Sequence, residues 1–255
     1  MKSLETQLRA VRDAGRKALV PYFVAGLTPD WVHYVEAAVL AGADAVEIGV
    51  PFSDPMMDGV VIQEGALRAL RAGTTLESLC VDLASISATV PLVAMTYYNI
   101  FHHFGLKRSA GQLQASGISG VIVPDLSLEE AGPWREACDE HDVATVFLVA
   151  PSTPPARVAL VTGASEGFVY AQARMAVTGR AADIGDARRV VQSVRDAGDI
   201  PTYVGIGIAT PEQARDAAHE SDGAIVGSAL VQKVLDGASV HEVEAFVASL
   251  RRALD

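Results

Sequence analysis

Short apolar runs rich in Val and Ile alternate with longer segments of helical period along most of this chain, and that alternation restricts the fold more than any other feature. The runs are Ala18–Ala25, Ala45–Val50, Pro91–Thr96, Gly120–Val123, Ala144–Val149, Gly167–Ala171, Pro201–Val204 and Gly223–Val226. Each is brief and bounded by turn residues, the pattern of a strand buried on both faces of a parallel sheet. Between them the spacing predicts helices over Asp30–Ala41, Ile62–Ala72, Leu76–Ala88, Ser109–Ala115, Leu128–Glu140, Asp186–Ala197, Pro211–His219 and Val240–Leu254. Thr28-Pro29-Asp30 and Thr210-Pro211-Glu212 place a capping hydroxyl before Pro and an acid, while Gly42 and Gly198 follow predicted helix ends.

No linker, low-complexity tract or charge block interrupts these strand–helix units. About eight in a row predict an α/β chain folded as one (β/α)8 barrel, a single domain over residues 1–255. An open doubly wound sheet is the rival, but its first turn usually carries GxGxxG, which Val24-Ala-Gly26-Leu-Thr-Pro29 does not match.

Composition narrows the function classes. A net charge of −11 argues against a polyanion-binding protein, so no nucleic-acid partner is expected. No apolar run approaches the roughly 18–20 residues of a membrane span. The opening MKSLETQLRAVRDAG is charged and amphipathic, without the apolar core of a signal peptide. Cys80 and Cys138 form no CxxC or metal spacing and read as free thiols of a reducing, cytoplasmic setting.

In a barrel the chemistry sits at the C-terminal ends of the strands. There the stretch DAVEIGVPFSDPMMDG, residues 44–59, places Glu47 inside an apolar strand and Asp54 and Asp58 on the loop beyond it. Glu47 alternates with Val46, Ile48 and Val50, so the bulky face packs under the helices and Glu47 points into the barrel mouth. A core ion pair is the alternative, although few Lys or Arg fall in the strands. A carboxyl held there is costly when ionised, and its pKa is expected to rise. Asp54 precedes Pro55 and also reads as a turn residue.

A second cluster lies after the last two strands. Gly205 and Gly207 follow strand seven, and Gly227-Ser228 leads from strand eight into a short helix. Glycines admit a ligand close to the backbone, and a helix N-terminus offers unpaired N–H groups, so this end is expected to hold a phosphate. Thr178-Gly179, after strand six, is placed to close over it. His102-His103 has no acid close by and no metal spacing, so no metal site is expected. The chain lacks GxSxG, a P-loop and a strand-borne lysine suited to an imine, which leaves carboxylates to run any carbon–carbon chemistry.

Taken together these residues resemble the tryptophan synthase α subunit family over nearly the whole chain. The strongest match is Glu47-Ile-Gly-Val-Pro-Phe-Ser-Asp-Pro55 continuing to Asp58-Gly-Val-Val-Ile-Gln63. Others are Pro21-Tyr22, Met95-Thr-Tyr-Tyr-Asn99, Pro124-Asp-Leu126, Gly167-Phe-Val-Tyr170, Val177-Thr-Gly179, Gly205-Ile-Gly-Ile208 and Gly227-Ser228. The resemblance implies cleavage of indole-3-glycerol phosphate into indole and glyceraldehyde 3-phosphate, without metal or cofactor. It implies that Glu47 and Asp58 are catalytic, that Tyr22, Tyr97, Tyr170 and Thr178 bind substrate, and that Gly179, Gly205, Gly207, Gly227 and Ser228 cradle the phosphate. It further implies a pyridoxal-phosphate-dependent β subunit as partner, met through Pro51, Asp54, Asn99 and His103. The chain departs from the family pattern at Val24, Met56-Met57, Ile100, Ser127 and Ala176, mostly on partner-facing and lid loops. That clustering keeps two other readings open: a free-standing lyase that releases indole for another pathway, and a weakly catalytic paralogue that activates a β subunit.

Overall fold

The computed structural model describes residues 1–172, 184–205 and 207–255. Parallel strands close into a barrel in chain order: β1 (Ala18–Val24), β2 (Val46–Gly49), β3 (Leu92–Met95), β4 (Ile118–Ile122), β5 (Ala144–Val149), β6 (Val169–Gln172), β7 (Thr202–Gly205) and β8 (Gly223–Val226). The last strand pairs back onto the first, Ala18 opposite Gly223 and Pro21 opposite Val226. Helix α1 (Ser3–Asp13) precedes the barrel, and α2 (Trp31–Leu40) follows β1. The β2–β3 crossover carries α3 (Val60–Arg71) and α4 (Leu76–Ala84), and the β3–β4 crossover α5 (Tyr98–Phe104) and α6 (Leu106–Ala115). After β4, β5, β6 and β7 come α7 (Gly132–Asp139), α8 (Pro155–Ala164), α9 (Ile184–Ala197) and α10 (Pro211–Glu220), and after β8 come α11 (Ser228–Leu235) and α12 (Val240–Leu254).

Two-residue periodicity divides every strand between two cores. Leu19, Phe23, Val46, Ile48, Val121 and Val204 face the helices, where Trp31, Leu79, Leu113 and Trp134 cover them. Val20, Ala45, Val93, Ile122, Val146 and Tyr203 fill the barrel interior. The base is plugged by α1, whose Leu4 and Leu8 are fully buried. Gly120 and Gly167 leave the space that Leu4 occupies, since a Cβ at either would run into its Cδ2. An amphipathic helix with only one apolar stripe therefore closes the end of the barrel away from the strand C-termini.

Several boundaries differ from the expectation. Helix α7 starts at Gly132 and not at Leu128, because Pro133 suits a first turn and no interior position. Helix α4 stops at Ala84, where the Ser85 hydroxyl donates to the Asp82 carbonyl and takes up a C-terminal acceptor. The Thr210 cap is present, closing a reciprocal box with Gln213. Thr28 does not cap α2: the helix begins at Trp31 with Asp30 as its N-cap, and among the described residues the buried Thr28 hydroxyl has no partner. Helices α1, α5 and α8 were not among the predicted segments.

Candidate active site

Two buried acids on the β1–β2 side of the barrel meet opposite fates. Asp44, just before β2 at the base, accepts from Arg251 Nη1 at 2.8 Å and from the Leu19 amide at 3.0 Å, and pairs with Arg16. Glu47, three residues on, is only 1% exposed, and among the described residues its Oε2 has no hydrogen-bond partner. The core ion pair weighed as the alternative for Glu47 is thus made by Asp44 instead. Burial, aided by the nearby charge of Asp58, lifts the Glu47 pKa to about 8. A carboxyl in that setting is neutral at pH 7 and can donate a proton.

Asp58 ends the loop between β2 and α3. Its amide donates to the Pro55 carbonyl at 3.0 Å, and Gln63 Nε2 donates to its carbonyl at 2.9 Å. The Tyr97 hydroxyl, just past β3, donates to Asp58 Oδ2 at 3.1 Å and accepts from the Met57 amide at 2.8 Å. Phe52 stacks on the Tyr97 ring at 5.0 Å, so the β2 and β3 loops hold Asp58 jointly. Partial burial raises the Asp58 pKa to about 6, against the lowering effect of the Tyr97 bond. Tyr97→Phe is accordingly expected to raise the Asp58 pKa by about one unit, since a hydrogen bond to a charged group is worth about 1.5–3 kcal/mol. Carboxyl carbon NMR titration reads this directly, and an unmoved Asp58 would mean that the bond does not form in solution.

One cavity at the barrel mouth joins these groups. Glu47, Asp58, Tyr22 and Tyr170 line it together with Gly207, Gly227 and Ser228, around about 420 Å³ of free space that includes the open entrance. Of the expected substrate residues, Tyr97 sits one step away and reaches the cavity through Asp58. Gly205 lies in β7 with the Tyr170 hydroxyl over it, where a Cβ would collide with that group; it seats the tyrosine and does not line the cavity. Gly207 holds a φ of +82°, a conformation that favours glycine. Gly227 is the N-cap of α11, so the positive end of that helix opens at the cavity. Among the described lining residues there is no Lys or Arg, and the groups there able to meet an anion are backbone N–H groups and the start of α11.

Sequence reading did not single out Ile62, Met95 and Ile225, which give the cavity its apolar wall. Met95 and Ile225 were accessible by counting, since each lies near the C-terminal end of its strand and packs with the barrel interior. Pro51 is buried and lines a small pocket together with Tyr22 and Asp58, while Asp54, Asn99 and His103 are exposed. Thr178 and Gly179 lie outside the described residues, as do Ala176 and Ile206. Cys80 and Cys138 are buried free thiols on α4 and α7.

Two carboxyls of unequal proton affinity, facing a glycine-lined helix start at the mouth of a (β/α)8 barrel, define an enzyme that moves protons on a small anionic substrate. Comparison with known proteins narrows this class. The family model of the tryptophan synthase alpha chain matches residues 8–253. The tryptophan synthase alpha chain of Streptomyces coelicolor is 40% identical over 260 residues, covering 98% of this chain and 96% of that one. The one from Thermobifida fusca is 42% identical over 263 residues, with 98% and 97% covered. A solved structure of Mycobacterium tuberculosis tryptophan synthase superposes with a TM-score of 0.93 at 38% identity, covering 99% of this chain and 98% of that one. The chain belongs to the tryptophan synthase alpha chain family, and is thereby a lyase of tryptophan biosynthesis.

Proposed function

We propose that this chain cleaves indole-3-glycerol phosphate to indole and glyceraldehyde 3-phosphate with Glu47 and Asp58 as its working groups. The observation that carries the reading is Glu47 itself: a buried carboxyl, one oxygen of which has no partner among the described residues, lining the same cavity as Asp58. In the ground state neutral Glu47 donates its proton to C3 of the indole ring. The resulting indolenine accepts the electron pair of the breaking carbon–carbon bond, while the Glu47 carboxylate, regenerated as a base, takes the hydroxyl proton beside that bond. Ionised Asp58 accepts the ring N–H and stabilises the positive charge that develops there. Ile62, Met95 and Ile225 supply the apolar wall for the ring. Gly207, Gly227 and Ser228 receive the phosphate, joined by Gly179, and Thr178 closes towards Asp58 to exclude water.

A β subunit dependent on pyridoxal phosphate is the partner in this reading. Met56, Met57 and Val60 are 74%, 42% and 75% exposed beside Asp58, an apolar rim that suits a protein cover. Asp54, Asn99 and His103 surround it as polar contacts. Buried free thiols favour a cytoplasmic location, and among the described residues no helix is long and apolar enough to cross a membrane.

The test is indole release from indole-3-glycerol phosphate by the purified chain, with and without a β subunit. Slow release that rises with β is expected. Fast release indifferent to β would replace this with the free-standing lyase, and no release under either condition would sink the assignment. Ser228→Asp is expected to raise KM by about 30-fold or more, because a second negative charge facing the phosphate costs about 2–4 kcal/mol at short range. An unchanged KM would remove Ser228 from the phosphate site.

A further inference from the structure

Tyr22 was expected only to touch substrate, but its placement assigns it more. It stands opposite Glu47 in the β1–β2 register, and its hydroxyl reaches past Glu47 to the next inward position of β2, which is Gly49. A Cβ on Gly49 would lie 2.5 Å from Tyr22 Cζ and closer still to the hydroxyl, so the tyrosine occupies the volume that any other residue would fill. At its other end, the Cβ of Tyr22 lies 3.5 Å from where a Cβ of Gly227 would stand. The ring therefore spans from the phosphate end of the cavity to the mouth-facing side of Glu47. Inward positions on one strand are about 6.6 Å apart, two residues at about 3.3 Å each. A ring covering Gly49 thus covers the layer directly above Glu47.

We propose that Tyr22 is a positioning residue for Glu47: seated on the side-chain-free Gly49, its ring roofs the carboxyl against water from the barrel mouth. This rests on the reading of Glu47 as the proton donor. Burial is the first cause of the high proton affinity of Glu47, and a roof is what supplies burial at an open mouth. Among the described residues, the titratable groups that face Glu47 are Asp58 from the β2–α3 loop, Tyr170 from β6 and Tyr22 from β1. Both tyrosines keep their protons, since burial and the two carboxylates push their pKa values well up. A neutral-range titration therefore reports the two acids alone.

The experiment is carbon NMR titration of the Glu47 carboxyl in the free, folded protein. Tyr22→Ala is expected to lower the Glu47 pKa by about one unit or more, as water gains access. Tyr22→Phe, which keeps the ring, is expected to move it by less than about half a unit. Gly49→Ala should also lower it by pushing the ring aside, and should add nothing in a Tyr22→Ala background, where there is no ring to displace. This second route keeps the idea testable if Tyr22→Ala does not fold. A Glu47 titration that stays in place in both folded variants would overturn the proposal. The titration needs no turnover, so a wild-type chain that releases no indole while Glu47 shifts as expected would refute the lyase assignment and leave the roof standing.

Discussion

Glu47→Gln is expected to cut indole release by roughly a hundred- to ten-thousand-fold, the range that a positioned acid–base group contributes, and at the same time to make the protein more stable at alkaline pH. The second effect follows from linkage. Burial carries the Glu47 pKa from an ordinary 4.5 to about 8. Between those values the folded protein keeps a proton that the unfolded chain has released, so wild-type stability falls as pH rises through the window. Glutamine has nearly the same shape and no such proton. Its amide N–H adds a cost that does not vary with pH, because among the described residues Oε2 has no hydrogen-bond partner. The gap between variant and wild type should therefore be smallest near pH 5 and widen up to about pH 9. The full widening is roughly 2–4 kcal/mol, allowing for relaxation of the site. Thermal melts at pH 5, 7 and 9 measure it. A gap of constant size would mean that Glu47 is already ionised at neutral pH, and the acid role proposed for it would fail.

Strand-level features of this molecule were legible because they rest on a period of two, which needs no tertiary context. The same parity that put Val46, Ile48 and Val50 under the helices put Glu47 inside the barrel. Glycines at the ends of β7 and β8 were legible too, although Gly205 and Gly207 could not be told apart: two residues of spacing decide whether a glycine seats Tyr170 or lines the cavity. What stayed hidden depends on contacts between distant segments. The bond between Tyr97 and Asp58 joins loops 39 residues apart. Pro51 looks like a rim residue, yet it is buried and lines a pocket that Tyr22 and Asp58 share. Helix α1 read only as a charged, amphipathic opening because its charged face dominates its composition, while the two leucines that plug the barrel are only two of its eleven residues. The match between Gly49 and Tyr22 was illegible in principle, since nothing local says what fills the space above a glycine.

Asp58→Asn is expected to lower turnover by roughly 10²–10³-fold, the usual loss when a group that stabilises transition-state charge is removed. Its more telling consequence is for the shape of the pH profile. Wild-type activity should rise with pH as Asp58 ionises near 6 and fall again as Glu47 loses its proton near 8. These two steps belong to a coupled pair, because the Asp58 charge is itself one cause of the raised Glu47 pKa. Asparagine cannot ionise, so the acid limb should vanish from the residual activity. With the neighbouring negative charge gone, Glu47 should release its proton more readily, and the alkaline limb should move to lower pH. A substitution that acted only by disturbing the loop would reduce activity without moving the surviving limb. Measuring kcat/KM from pH 5 to 9 on both proteins separates these cases: an alkaline limb that stays at its wild-type position in Asp58→Asn would show that the two carboxyls are not electrostatically coupled, and that their division of roles has to be drawn differently.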